Sequence, residues 1–470
     1  MFTFLCFCNT IIMNIKERGV TMKFFLLQMK INGVKSIDKE IVIDFYNSTL
    51  TKKINYEHSH VKAIYGPNGA GKTGIVYAVE IYKNLVFDSN YLIVNNATGN
   101  LLNLINQNKK EFSIEMIFAR YNDENIIEVV YSHKIQLRID EDGNAELSSE
   151  ELHEIKGKTI NDSTKYIPIY RVSNGILEYV EENYTRKEEL YKTTINLLER
   201  QTLTSAFIKT ARECKTLDKF SIEMLDVLMF SSMALTTVIQ NVDMDNINLN
   251  KIMKQVEIIQ QKEKAIKNKD IFIQMLQGDK IPFKSSVKVP KSDFKSYNNQ
   301  VENLTAFIKV FRDDLNEIQI RKEENDNYYE CELIMIYKDG RRINEKYESA
   351  GIKKLISIYT ALCDLNKGKI VFIDEFDANI HDVLFIKLID YAVNYANGQL
   401  IFTTHNLAPM EILQKEKHSI DFLSNDSRLV SWIKNGHYSP VSLYRKGLIE
   451  FSPFNIEAFN FLGTFGDDKR

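Results

Sequence analysis

The chain has 470 residues, 44% of them hydrophobic, with 60 Lys and Arg against 63 Asp and Glu for a formal net charge of -3. That length supports a large core and more than one compact unit. The charge balance excludes a surface that is polyanion-binding throughout, while leaving room for a local basic patch.

Residues 1–21 read as an N-terminal extension. Met1 to Met13 is apolar but too short to span a bilayer, and no basic residue precedes it, so no membrane association is expected. Met22 is an alternative start. A first α/β lobe is expected over 22–150. FFLLQMKI (24–31) and EIVIDFY (40–46) read as strands, and KAIY (62–65) as a short buried one. GPNGAGKT (66–73) follows at once, and GIVYAVEIYKNLVF then shows apolar residues at helical spacing. FSIEMIFARY and NIIEVVYSHKIQLRID are expected to be antiparallel strands ending at the turn EDGN.

Residues 151–325 are expected to be a helical insertion. It would include 175–201, the segment NLNKIMKQVEIIQQKEKAIKNKDIFIQML (248–276) and NQVENLTAFIKVFRDDLNEI (299–318). Between Lys251 and Lys295 there are 11 Lys against 5 acidic residues, a stripe that suits either a solvated helix face or an acidic partner such as DNA. The second α/β lobe, 326–470, returns to strand with YYECELIMIYK, continues as the helix AGIKKLISIYTALCDL, and reaches KIVFIDEFDANIH and QLIFTTHN. The fold class expected is therefore α/β: a P-loop sheet with flanking antiparallel strands, split by a helical insertion.

Four ordered motifs carry the chemistry. Gly66-x-x-x-x-Gly71-Lys72-Thr73 between strand and helix is a phosphate-binding loop. Gly66, Asn68, Gly69, Ala70 and Gly71 give the backbone a tight wrap, so that N–H groups converge on phosphate oxygens. Lys72 would reach the outer phosphates of ATP, and the Thr73 hydroxyl would bind Mg²⁺. Asp374 and Glu375 stand at the end of the apolar run 370–373, where a buried strand delivers side chains to the ligand crevice. Asp374 is expected to hold the metal and Glu375 to act as general base. His405 follows the second apolar run as a γ-phosphate sensor. Ser349-Ala350-Gly351 opens a predicted helix, where the serine can cap and N–H groups are free. No guanine-reading N-K-x-D motif stands out, so ATP rather than GTP is expected.

Together these motifs resemble the ABC-ATPase superfamily, in the branch holding RecF, the SMC proteins and the OLD-like ATPases. NGVKSI (32–37) is similar to that branch's opening motif, and ESAGIKKLISIYTAL, DEFDANIH and LIFTTHN look most similar to anti-phage ATPases of the AbiL and PARIS type. The resemblance covers about 22–120 and 327–450. It implies a homodimer or higher homo-oligomer sandwiching two nucleotides, with Ser349 and Gly351 acting in trans. It also implies a cytoplasmic sensor or scaffold of abortive-infection defence that controls a separate effector protein, a nuclease or other toxin. A RecF-like DNA-clamping maintenance ATPase is the alternative. The signature reads S-A-G where the branch has S-G-G, no glutamine is assigned to the usual Q-loop, and Lys35 is read equally as a surface lysine or a nucleotide contact. Too few residues follow His405 for a nuclease domain, which needs on the order of a hundred. The five cysteines form no metal-ligand spacing and are expected to be reduced thiols.

Overall fold

The computed structural model describes residues 23–46, 53–54, 60–157, 165–182, 184, 187–195, 198–210, 218–239, 283, 286–416, 418–433 and 439–449. The extension 1–21, the segment 248–276 and most of the basic stripe lie outside the described residues.

The chain begins with strands β1 (Lys23–Asn32), β2 (Ile41–Asp44) and β3 (Val61–Tyr65), followed by helices α1 (Lys72–Phe87) and α2 (Tyr91–Thr98). Five strands come next: β4 (Glu111–Tyr121), β5 (Ile127–Ile139), β6 (Ala145–Lys156), β7 (Lys165–Ser173) and β8 (Ile176–Val180). Helices α3 (Lys187–Thr194), α4 (Leu203–Thr210) and α5 (Lys219–Met229) then lead into β9 (Leu235–Val238). The second half opens with β10 (Val287–Pro290), α6 (Phe294–Phe311), β11 (Leu315–Glu324), β12 (Tyr328–Tyr337) and β13 (Arg342–Asn344). After these come α7 (Ala350–Asn366), β14 (Ile370–Ile373), α8 (Asp382–Tyr395), β15 (Gln399–Thr403), α9 (Pro409–Leu413), β16 (Ile420–Leu423), β17 (Leu429–Ser431) and α10 (Pro440–Arg445).

Three sheets result. One runs β17-β16-β3-β15-β14-β9 and is parallel except for β17. Both of its faces are covered, which explains why its strands read as continuous apolar runs. Alternate residues of β14 serve opposite cores: Ile370 and Phe372 pack with α1 and the antiparallel sheet, Val371 and Ile373 with the helices of the second half. All four are fully buried, worth about 1.5–3 kcal/mol apiece. The second sheet, β2-β1-β4-β5-β6-β7-β8, is antiparallel throughout. The third joins β10, β12 and β11, with β13 on β12.

The α/β architecture with its flanking antiparallel strands is as the sequence indicates. The content of the middle segment is not. Residues 151–156, 165–173 and 176–180 continue the antiparallel sheet as the end of β6, β7 and β8 instead of forming helices, and 315–318 begin β11 instead of finishing a helix. Leu235–Val238 also returns to the parallel sheet and pairs with β14, so the segment contributes a strand to the nucleotide-binding core. The reason is partner availability: ELSSEELHEIK has helix-forming composition, but β5 and β7 flank it with unpaired ladder groups, and strand preference follows such context. Among the described residues no helix is long and apolar enough to cross a membrane.

Candidate active site

Strand β3 lies between β15 and β16, and β15 lies beside β14. The carboxyl ends of these parallel strands therefore open onto one crevice, the ligand-binding edge of such sheets. The loop leaving β3 is shaped by close approach. A Cβ at Gly66 would stand 2.4 Å from the carbonyl oxygen of Leu423 in β16, so only glycine fits. Gly71 has φ of 105, and a Cβ there would meet Ile37 at 2.7 Å, which packs the NGVKSI loop against the phosphate loop. Asn68 and Gly69 are exposed at the crest and Ala70 is buried beneath it.

Lys72 and Thr73 open α1, whose first turn holds no acidic residue, so its N-terminal N–H groups and dipole are free to favour an anion. The Lys72 ammonium is buried and donates to the carbonyls of Gly66 at 2.8 Å and Pro67 at 3.0 Å. Burial lowers its pKa, opposed by the carboxylates of Asp374, Glu375 and Asp377. Those carboxylates belong to the turn after β14, so stretches some three hundred residues apart share one electrostatic environment.

Asp374 is buried, and its Oδ1 accepts from the Thr403 hydroxyl at 2.7 Å. That same hydroxyl accepts from the Glu375 N–H at 2.8 Å, and the Asp374 N–H donates to Val238 O of β9 at 2.8 Å. Glu375 has φ of 44, the left-handed region that a non-glycine residue adopts only where its surroundings impose it. His405, after β15, is largely exposed; desolvation of its ring and the Lys72 ammonium lower its pKa against the pull of Asp377, Glu375 and Asp374.

Ser349 caps α7, its hydroxyl accepting from the Ile352 N–H at 3.4 Å. Ser349 and Ala350 are exposed and Gly351 is half-buried beside Asn379 in the turn after Glu375. Of the basic stripe, the described part runs through β10, and Lys291 there pairs with Glu324 at 2.6 Å.

Four residues that motif reading passed over belong to the site or border it. Thr403 bridges Asp374 and Glu375. Lys354 donates from α7 to the Asp374 carbonyl at 2.6 Å. Asp377 has an Oδ1 that is buried with no hydrogen-bond partner among the described residues, and the same is true of the Tyr65 hydroxyl just before the loop. Lys35, left open by the sequence, has φ of 49 and lies over the Tyr77 ring of α1 at 4.1 Å. Burial lowers its pKa, with Asp374 pulling the other way, which places it on the crevice side. The one sequence signal for Lys354 was its place on the apolar face of α7 between Ile352 and Leu355 and Ile356, all buried.

A phosphate loop, an acidic strand end and a histidine at adjacent parallel strands define a P-loop nucleotide-hydrolase core. The chain belongs to the AAA ATPase domain family, whose profile matches residues 25–408. No curated protein matches it. Among solved structures it is similar to an Smc head bound to the C-winged helix domain of ScpA, at 16% identity over 87% of this chain and 97% of that one, TM-score 0.40. It is also similar to an Smc head with an extended coiled coil bound to the C-terminal domain of ScpA, derived from Pyrococcus furiosus, at 14% identity over 87% and 96%, TM-score 0.41. A third is an Smc head with a coiled coil and joint from Pyrococcus yayanosii, at 13% identity over 87% and 97%, TM-score 0.39.

Proposed function

We propose that this chain is a Mg²⁺-dependent ATPase whose copies close head to head, each ATP lying between the phosphate loop of one subunit and Ser349 and Gly351 of the other. One observation supports this above all. Lys72, Asp374, Glu375 and His405 meet at the ends of neighbouring parallel strands, while Ser349 of the same chain faces solvent.

Within that reading the wrap over Gly66–Gly71 and the Lys72 ammonium hold the β- and γ-phosphates. Glu375 takes a proton from the water that attacks the γ-phosphorus, as the bond from that phosphorus to the β-phosphate oxygen breaks and ADP and phosphate form. The His405 ring donates a hydrogen bond to a γ-phosphate oxygen. Thr73 and Asp374 supply hard oxygen ligands suited to Mg²⁺, which when bound offsets charge between the phosphates. Among the described residues no group of three or more His, Cys, Asp or Glu could hold a metal by itself.

The cycle serves a cytoplasmic sensor or scaffold of bacterial anti-phage abortive infection, which holds or releases a separate effector. The support is the likeness of ESAGIKKLISIYTAL, DEFDANIH and LIFTTHN to defence ATPases of the AbiL and PARIS type. Glu375→Gln tests the chemistry: hydrolysis should fall about two to four orders of magnitude, with ATP-dependent assembly retained by light scattering. Hydrolysis at the wild-type rate removes Glu375 as the base. Plaque counts on cells carrying the locus with this variant test the role, since protection equal to wild type removes ATP turnover from defence.

A further inference from the structure

We propose that Lys354 is a positioning residue that ties the signature helix to the base of its own subunit, an inference that rests on the ATPase reading above and deepens it. Its neighbour Lys353 behaves as a surface lysine: it is exposed and donates to the Lys346 carbonyl at 2.8 Å. Lys354 turns inward, 6% exposed, and donates to the main-chain oxygen of Asp374 at 2.6 Å. Burying an ammonium costs several kcal/mol unless the geometry compensates it. Leucine or methionine would fill the same space at no such cost, so packing does not account for the charge. Burial lowers the pKa of Lys354, and the carboxylates of Asp374, Glu375 and Asp377 oppose that only in part.

The accepted carbonyl belongs to the peptide unit that joins Asp374 to Glu375. The N–H of that same unit donates to Thr403 Oγ1 at 2.8 Å. One peptide plane is thus fixed from two sides, by α7 through Lys354 and by β15 through Thr403. Its orientation holds Glu375 at φ of 44, a conformation that would relax without a restraint. These two bonds fix the backbone from which the Glu375 side chain departs.

The other end of the device faces outward. Ser349 caps the helix that carries Lys354, and Gly351 packs on Asn379 in the turn that Glu375 begins. A phosphate engaging Ser349 from a second subunit would bear on the first turn of α7, and the next turn holds the Asp374–Glu375 peptide. Occupancy of the signature loop is thereby sensed by the base in the same chain, so the two sites of a dimer fire together.

The test is steady-state ATPase kinetics with ATP binding on the full chain carrying Lys354→Met, alone and combined with Glu375→Gln. Methionine keeps the volume, so ATP Kd and KM should stay at wild-type values. The kcat should fall about a hundredfold, the scale set by a misplaced reacting group. In the Glu375→Gln background the same substitution should cost nothing more, because both act through one group, and Lys354→Arg should recover part of the rate. Full kcat in Lys354→Met, an equal loss in both backgrounds, or a higher KM at unchanged kcat overturns the proposal. If Lys354→Met does not fold, Lys354→Gln, which keeps a donor without charge, carries the same comparison. A wild-type chain that hydrolyses no ATP sinks the ATPase reading instead, whereas a Glu375→Gln protein with the wild-type rate removes the base through which Lys354 is proposed to act.

Discussion

Replacing Thr403 with valine probes the site where it is most tightly built. Valine nearly matches threonine in shape, and Thr403 is buried, so packing changes little. The hydroxyl disappears, and with it the bond to Asp374 Oδ1 at 2.7 Å and the acceptor for the Glu375 N–H at 2.8 Å. A hydrogen bond to a charged group contributes about 1.5–3 kcal/mol, and an orphaned buried N–H costs about 1–3 kcal/mol. The Phe376 N–H still donates to the Thr403 carbonyl at 3.0 Å, so the strand crossing survives and the loss is confined to the two bonds. The expected destabilisation is about 3 kcal/mol. A chain of this size need not unfold in one step, so the comparison is with Thr403→Ser, which keeps the hydroxyl and drops a methyl. Urea unfolding followed by near-ultraviolet circular dichroism, with ATP turnover on the same samples, reads both effects. Turnover should drop further than stability, because Glu375 loses an anchor of its left-handed backbone. A valine variant with the urea midpoint and turnover of the serine variant would refute this account of how the base is held.

Two further outcomes follow from the coordinates. Gly66→Ala forces a Cβ against a backbone oxygen at 2.4 Å, costing on the order of 1–3 kcal/mol and displacing the phosphate loop, whereas a Cβ at Gly74 in the first turn of α1 meets its nearest neighbour at 3.4 Å, an ordinary contact. ATP affinity by calorimetry should therefore fall more for Gly66→Ala than for Gly74→Ala, and equal affinities would contradict the packing argument. Away from the site, Glu223 is pushed up to about 7 from 4.5 by burial, against the hydrogen bond from Lys219 and with repulsion from Glu181 and Glu154. Between those two values the folded chain holds a proton that the unfolded chain has released, so stability falls as pH rises through that window. Glu223→Gln cannot ionise, and its Tm should vary less across the same range; an unchanged slope would remove Glu223 as the group responsible.

The phosphate loop, the acidic strand end, the histidine and the capping serine were legible because each is local: a short run of residue types next to an apolar strand or helix. The same holds for β1, β3, β4, β5, α1 and α7, whose periodicities match their observed burial. The segment 145–180 was not legible. Its strands carry a buried Glu150, which is tolerated because Tyr170 donates to it at 2.8 Å, Thr204 Oγ1 donates at 2.9 Å, and the Leu203 N–H at the start of α4 also bonds to it. Those partners lie 20, 53 and 54 residues away in sequence, so no local pattern announces them.

The sequence by itself determined which groups could meet a nucleotide and in what order they come along the chain, because phosphate chemistry demands particular residues at short fixed spacings. Only the tertiary structure decided which groups hold them in place. The Lys62–Asp421 ion pair, wholly buried at 2.6 Å, joins β3 to β16. β9 comes back from the middle segment to flank β14, and Lys354 and Thr403 grip one peptide from opposite sides. Each of these depends on distance in space between residues remote in the chain, and hydrophobic periodicity records only whether a residue is buried, never what it is buried against.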